Sequence, residues 1–200
     1  MSDEKKSRPK RPPKFVEPTE RWLRDQALRY LNRFPATQRK MTRHLMTKAG
    51  PHAAHFSMDK AMLSADIEKV VTDLVKAGFI NDSEFAASKA RLLLRDGRSV
   101  AQIGNRLREM EFTETDRERA VAELGEDQRA LDLKSAARYV KRRRFGPYRK
   151  GATQRNQRDK EMASLARQGF SYDVAARVVD ADSIVEIEQL IFGPEGGSNN

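Results

Sequence analysis

The sequence contains no cysteine and no long apolar segment, and each absence excludes a class of protein. Without cysteine there can be no disulfide framework and no thiolate metal site, which is compatible with a reducing cytosol. No apolar run approaches the roughly 20 residues that a membrane-spanning helix needs. The N-terminal residues carry positive charge but no apolar segment, so we expect no secretory signal, no membrane association and a cytoplasmic location.

The charged residues are unbalanced in number and in position. Among 200 residues there are 39 lysines and arginines against 29 acids, which gives a formal net charge of +10. Residues 138–160 contain ten bases and one acid, whereas residues 180–200 contain five acids and no base. This separation indicates that positive and negative charge are concentrated on different parts of the surface. The excess of positive charge favours a polyanionic partner such as DNA or RNA. Charge that serves only solubility would be spread more evenly.

Apolar residues recur at helical spacing, and no window alternates apolar with polar residues as a half-buried strand would. We therefore predict an all-α fold. Three apolar helices end alike on a small or turn position, at 46–50, 107–111 and 165–169, and each has a shorter helix after it and another before it. This pattern predicts three tandem three-helix repeats that form an elongated, curved body. The predicted helix caps are Thr19, Thr37, Asn81 and Ser99.

The repeats set the predicted domain boundaries. From the N-terminus, the segments are a disordered, basic, proline-rich tail (1–18), repeat one (19–80), repeat two (81–128), repeat three (129–182) and an acidic C-terminal tail (183–200). Within repeat one, Pro51 predicts a loop over residues 51–65, so that the third helix begins near Asp66 and ends at Gly78. The acidic tail has isoleucines at near-helical spacing, which could let it fold back on the basic face.

Some residues that could suggest a site are interpreted as structural. His52, His55 and Asp59 would share one face of a helix, but they follow a proline in the predicted loop and fall short of a complete zinc ligand set. No serine–histidine–acid cluster and no carboxylate pair stands out, so the sequence predicts neither an enzyme nor a bound cofactor or metal. The aromatic residues in and after the first helix are interpreted as core packing: Trp22, Tyr30 and Phe34.

The clearest candidate for a binding surface is the arginine run at 142–144, which is followed by aromatic residues and further bases. Guanidinium groups bind phosphate or carboxylate through two hydrogen bonds, and the rings can stack. The alternative is a solvated face whose arginines offset the dipole at the end of a helix. Arginines of repeat two form a weaker version of this pattern. The candidate binding residues are Arg91, Arg95, Arg98, Arg106, Arg138, Arg142, Arg143, Arg144, Arg149 and Lys150.

Five segments resemble the RecX family of recombinase regulators. They are, in the family's order and spacing, ALRYL at 27–31, LVKAGFINDSEFA at 74–86, GRSVAQIGNRL at 97–107, FGPYR at 145–149 and LARQGFSYD at 165–173. Each segment alone is weak, because many helices end in glycine, but together they span most of the chain. The segment at 145–149 resembles the third unit of the proteobacterial branch. Three features depart from the family pattern: the length of 51–65, Glu111 and Phe112 at a helix end that usually contains glycine, and the acidic C-terminal tail.

The resemblance implies tandem three-helix repeats that lie in the groove of the filament that the RecA recombinase forms on DNA. It also implies inhibition or modulation of that filament's ATPase, strand-exchange and co-protease activities, within DNA repair, recombination and the SOS response. It implies no catalytic residue and no cofactor, and some family members also contact DNA directly. We expect a monomer whose partners are the RecA filament and single- or double-stranded DNA.

A general helical DNA- or RNA-binding protein that uses the same basic face is the alternative. The two hypotheses differ in one observable. Regulation of the recombinase requires an effect that depends on the filament, whereas a general binder requires only nucleic acid and a steep salt dependence.

Overall fold

The computed structural model describes residues 14–149 and 156–193, and every regular element within them is helical. The all-α prediction is therefore confirmed for these residues. The elements are α1 (Glu20–Leu31), α2 (Gln38–His55), α3 (Lys60–Lys76), α4 (Asp82–Arg95), α5 (Val100–Glu109), α6 (Glu114–Ala122), α7 (Gln128–Arg143), a 3-10 helix (Gly146–Tyr148), α8 (Gln157–Arg167), α9 (Tyr172–Val179) and α10 (Ile184–Phe192). None of the described helices is both long and apolar enough to cross a membrane.

Side chains cap the N-termini of most helices, because the first N–H groups of a helix have no partner within it. The hydroxyl oxygens of Thr19, Thr37 and Ser99 and the side-chain oxygen of Asn81 each accept a hydrogen bond from a backbone N–H of the first turn. All four predicted caps are thus confirmed. They set the starting points of α1, α2, α4 and α5.

The predicted loop at 51–65 is wrong for most of its length. α2 continues through Pro51 to His55, and α3 already begins at Lys60. Proline removes one helical hydrogen bond, but Ala49 and Ala53 on either side of it are buried in the core, and this packing offsets the loss. The predicted helix end at 46–50 is wrong for the same reason.

The predicted ends at 107–111 and 165–169 are confirmed. Each helix closes with a left-handed residue, and the N–H of the following phenylalanine donates to the carbonyl oxygen five residues earlier. These bonds join Phe112 to Leu107 and Phe170 to Leu165, both with a nitrogen–oxygen distance of 3.3 Å. The left-handed residue of the first is Glu111, with a φ of +68°.

The chain divides after Ile80 into two compact units. Unit one contains α1, α2 and α3, whose buried side chains form one core around Leu23, Met41, Leu45 and Ile67. The apolar stripes of the three helices meet there, and this burial provides most of the stability of such short helices.

The first described residues pack on unit one. Phe15 stacks on His55 with the ring centroids 4.3 Å apart, and the backbone N–H of Val16 lies 3.1 Å from Nδ1 of His52. Pro18 is buried. The predicted disordered tail is therefore wrong for residues 14–18, and the rest of it lies outside the described residues.

Unit two contains α4 to α10 and two hydrophobic clusters. The first cluster joins α4, α5 and α6 around Ala90, Ile103 and Leu107. The second joins α7, α8, α9 and α10 around Val140 and Leu165.

The predicted acidic tail is a helix that belongs to the second cluster. Ile187 and Ile191 of α10 are buried, and α10 packs against α7. Nζ of Lys141 lies 2.9 Å from Oε1 of Glu188, so the acidic segment does fold back on a base of α7. The helical spacing of the isoleucines in this segment indicates a helix with one buried face, whereas its acidic composition is typical of a solvent-exposed tail. Residues 194–200 lie outside the described residues.

Candidate functional site

The turn between α4 and α5 is fixed against α7 and forms the centre of the candidate site. The hydroxyl of Ser135 lies 3.1 and 2.7 Å from the carbonyl oxygens of Leu94 and Arg98, which accept its hydrogen bond. Gly97 has a φ of +76°, and a Cβ on it would lie only 2.9 Å from Cβ of Tyr139. Glycine is therefore needed here both for the backbone conformation and for the close approach to α7.

Two further contacts hold the same turn within unit two. The backbone N–H of Val100 donates to Oδ1 of Asp132 at 2.8 Å. Burial raises the pKa of Asp132, and this N–H only partly opposes the shift. On the other side, the N–H of Ser99 donates to the carbonyl oxygen of Gln168 at 3.3 Å. A Cβ on Gly169 would lie 2.5 Å from Oγ of Ser99, so the α8–α9 turn also approaches closely.

Two of the predicted arginines are held beside this turn. Nη2 of Arg142 donates to the carbonyl oxygen of Asp96 at 2.6 Å, and its guanidinium carbon lies 5.5 Å from the ring centroid of Tyr139. Nη1 of Arg98 donates to Oε1 of Gln168 at 2.6 Å. Both guanidinium groups are thus oriented by the protein while part of each remains accessible to solvent.

Two further predicted arginines, Arg95 and Arg138, lie on the same two contacting helices, α4 and α7. Arg95 lies in the last turn of α4, and Arg138 lies one turn before Arg142 on α7. Neither has a side-chain hydrogen bond or ion pair with another described residue. Together, Arg95, Arg98, Arg138 and Arg142 are called the α4–α7 basic surface. Lys134, which the sequence-based set of candidates does not include, precedes Arg138 by one helical turn on the same face of α7.

The arginine run at the end of α7 does not form one surface. Successive residues of a helix point about 100° apart, so neighbours in sequence face different directions. Arg142 turns towards α4, whereas the guanidinium of Arg143 lies 5.8 Å from the ring centroid of Phe145. Arg144 ends the helix in the left-handed conformation, with a φ of +58°. Arg143 and Arg144 are exposed but separate from the α4–α7 basic surface.

Arg149 has an internal partner. Its Nε and Nη2 donate to the two carboxylate oxygens of Glu161 at 2.8 and 2.7 Å, and the N–H of Gly146 donates to the same carboxylate at 3.0 Å. Glu161 is fully buried. Burial alone would raise the pKa of Glu161, but the hydrogen bonds from Arg149, Gly146 and Gln157 hold it below its ordinary value. The sequence placed Arg149 on the binding surface, whereas the structure gives it a stabilising contact with α8. Lys150 lies outside the described residues.

The remaining predicted arginines are exposed and paired with acids. Nη2 of Arg91 lies 2.9 Å from Oε1 of Glu84, and its Nη1 lies 3.8 Å from Oε2 of Glu123. Nη1 of Arg106 lies 2.7 Å from Oε2 of Glu109. Exposed pairs of this kind stabilise a protein by at most about 1 kcal/mol. A stronger anionic partner could therefore displace the carboxylates.

The histidines of α2 contact aromatic rings. Among the described residues, no group of three or more histidine, aspartate or glutamate side chains is arranged to hold a metal ion. The ring of His52 lies 4.9 Å from that of Trp22, centroid to centroid, and Phe15 packs on both His52 and His55. These rings join residues 14–18 to α1 and α2.

The sequence is similar to two proteins that are both named Regulatory protein RecX. The protein from Myxococcus xanthus is 33% identical over 182 residues, which cover 90% of this chain and 95% of that protein. The protein from Agrobacterium fabrum is 30% identical over 179 residues, which cover 88% of this chain and 92% of that protein. No protein-family model matches the chain.

Two crystal structures resemble the fold. One, of a regulatory protein RecX, aligns with a TM-score of 0.54 and 21% identity over 81% of this chain and 72% of that chain. The other, of RecX from Lactobacillus salivarius, aligns with a TM-score of 0.56 and 19% identity over 80% of this chain and 94% of that chain. At this identity the structures show a shared fold, while the family follows from the two related sequences. The chain belongs to the RecX family of regulatory proteins.

Proposed function

We propose that this protein regulates the RecA recombinase by binding in the groove of the RecA–DNA filament, where it inhibits or modulates ATPase, strand-exchange and co-protease activities. The observation that carries the proposal is the similarity to two RecX regulatory proteins over about nine-tenths of the chain. The α4–α7 basic surface supports it. The proposed action takes place in the cytoplasm and needs no catalytic residue and no cofactor.

The α4–α7 basic surface has the chemistry that such a filament requires. A filament on DNA contains phosphates, and guanidinium groups bind phosphate through paired hydrogen bonds. Ser135 and Gly97 fix the α4–α5 turn on α7, so the surface loses less conformational entropy on binding than a mobile loop would. Because this surface is rigid, it also favours one alignment of the protein along the repeating subunits of the filament.

The two units of one chain can contact two neighbouring recombinase subunits. Once one unit is bound, the other binds at a high effective concentration, so two weak contacts give a strong one without any further interaction. A protein that bridges neighbouring subunits stabilises whichever subunit arrangement it binds best. Bridging then slows the rearrangements that ATP turnover needs, which accounts for inhibition by a protein without a catalytic site.

The second candidate function is general binding to DNA or RNA. The observation that favours it is the pair Arg95 and Arg138, which have no acidic partner among the described residues and would suit nucleic-acid phosphates as well as a filament. Such binding would weaken steeply with salt, with a slope close to the number of phosphates contacted.

A titration of the DNA-dependent ATPase of the cognate RecA on single-stranded DNA separates the two functions. The protein is added at sub-stoichiometric ratios, and its binding to the same DNA without RecA is measured at the same salt concentration. We expect the ATPase to fall well before the naked DNA is saturated. An ATPase that falls only as the protein coats the DNA would contradict filament regulation and favour the general binder.

A further inference from the structure

A cleft between α1 and α2 of unit one carries a concentration of positive charge. The cleft has a volume of about 420 Å³, and Arg29, Arg33 and Lys48 line it. None of its lining residues among the described part of the chain is acidic, and none of these three cations forms an ion pair with a described acid. The charge of Lys48 adds to burial in lowering the pKa of His44, which also lines the cleft. The cleft therefore holds several cations whose charge no described acid neutralises.

Two aromatic rings stand beside these cations. Tyr30 packs partly on the core, and its ring centroid lies 4.2 Å from that of His44 and 5.6 Å from that of Phe34. Phe34 is 56% exposed, so its interpretation as a core residue is wrong. It follows the end of α1 and precedes Pro35, where no element covers it. An exposed ring beside unpaired cations is the arrangement by which proteins bind the bases and phosphates of nucleotides.

We propose that this cleft binds a nucleotide, with the base stacked on Phe34 and Tyr30 and the phosphates on Arg29, Arg33 and Lys48. Gln26 and Asn32 also line the cleft, and their amide groups can form hydrogen bonds with the edge of a base. The volume lies within the range of about 300–1,000 Å³ that is usual for small-molecule sites. An acidic peptide would use the cations but would leave the rings unused.

The ligand has two possible sources, a single nucleic-acid strand and a free nucleotide, which share this chemistry. The proposal does not depend on filament binding or on the α4–α7 basic surface, because all its residues belong to unit one. Its test therefore contains no recombinase, and its failure would leave the proposed regulation untouched.

The test measures the binding of a fluorescein-labelled oligothymidylate of eight nucleotides by anisotropy, with the full-length protein. Competitors are dATP, an abasic octanucleotide of equal charge, and an octaglutamate peptide. The same series is repeated in the Arg95→Glu/Arg138→Glu variant, which reduces binding to the α4–α7 basic surface by reversing two of its four charges. We expect the abasic strand and the peptide to compete at least about fivefold less well than unlabelled oligothymidylate, because they cannot stack.

Two pairs of variants locate the site. Phe34→Ala should weaken binding about tenfold, whereas Phe56→Ala, which removes another exposed ring of unit one, should change it less than twofold. Arg33→Gln should weaken binding and lower the salt slope by about 0.7, whereas Lys76→Gln, which removes an exposed charge from the end of α3, should not.

Each outcome decides the proposal. Competition by dATP as well as by the strand identifies nucleotides in general as the ligand, and competition by the strand alone identifies single-stranded nucleic acid; both support the proposal. Three results would overturn it. The first is competition by the abasic strand or by octaglutamate that equals competition by unlabelled oligothymidylate. The others are a wild-type protein that does not bind oligothymidylate, and a Phe34→Ala variant that binds it as tightly as the wild type. Circular dichroism of each variant checks whether its helices are intact.

Discussion

Unit one and unit two use their basic residues differently. In unit two, Arg149 is bound to the buried carboxylate of Glu161, and Arg98 and Arg142 donate to oxygen atoms beside the α4–α5 turn. In unit one, Arg29 and Arg33 stand in a cleft without a described acidic partner. Part of the charge in the segment richest in arginine therefore stabilises the fold and is not available to a partner.

This difference separates two roles of a guanidinium group. A buried carboxylate is costly unless cations and N–H groups surround it, so Arg149 is needed for folding. A cation that only solvent surrounds is available to a partner. The burial and the neighbours of each arginine, rather than its place in a basic run, decide which role it has.

The largest effect is expected from Arg149→Met. This change leaves Glu161 buried without its cation, which should lower the free energy of opening of α7 and α8 by about 4 kcal/mol. Hydrogen exchange followed by mass spectrometry measures this for each unit, and α1 to α3 should be unaffected. The matched control is Arg158→Met, which removes an exposed pair with Asp180 and should leave exchange almost unchanged. Equal losses in the two units would contradict the assignment of Arg149 to the stability of unit two.

A smaller effect is expected from alanine at two matched glycines. Gly78 and Gly97 both have a φ of +76°, but a Cβ on Gly78 would have no atom within 4 Å, whereas one on Gly97 would clash with Tyr139. Gly78→Ala should cost about 1 kcal/mol from backbone strain alone. Gly97→Ala should cost about 3 kcal/mol, because overpacking adds to the strain. Equal changes in the free energy of unfolding for the two variants would show that the contact between α4 and α7 is loose.

The smallest effect is expected from acid, which should act on the two units at different pH. Burial and the charge of Lys48 lower the pKa of His44 below 6.5, so protons bind more tightly to unfolded unit one. Unit one should therefore lose stability as the pH falls below 6.5, until the folded-state pKa is reached. Hydrogen bonds hold the pKa of Glu161 below 4.5, so its contribution to unit two persists above that pH and is lost as the pH falls through the lower folded-state pKa.

Hydrogen exchange along a pH series checks the order of these losses. The variant His44→Gln should remove the pH dependence of unit one near 6.5 and leave unit two unchanged. A loss in unit two that precedes the loss in unit one would contradict the account.

The helices were predictable because their signals are local. Thr37 and Ser99 cap helices through their own first turns, and the ends after Leu107 and Leu165 follow from residues within five positions. Pro51 is the exception, since the buried alanines on either side of it carry the helix through. That the three groups of helices repeat one another remains a prediction.

The site was less predictable because its contacts are distant in sequence. The hydrogen bond between Arg142 and the carbonyl oxygen of Asp96 joins residues 46 positions apart, and no periodicity in the sequence predicts it. Arg149 resembled its neighbours until Glu161 was placed beside it. Phe34 resembled a core residue because its spacing from Tyr30 is helical, but α1 ends before it. Composition thus locates the basic segments. Only the tertiary structure shows which of their side chains are paired within the protein and which are free to bind a partner.

The most direct test of regulation through the α4–α7 basic surface is inhibition of the RecA ATPase by the Arg95→Glu/Arg138→Glu variant. Its matched control is Arg21→Glu/Arg24→Glu, which makes the same charge change on exposed positions of α1 outside the cleft. Half-inhibition should require about tenfold more of the first variant, a loss of about 1.4 kcal/mol, and about the wild-type amount of the control. Inhibition that is unchanged in the first variant, or equally weakened in both, would contradict the account.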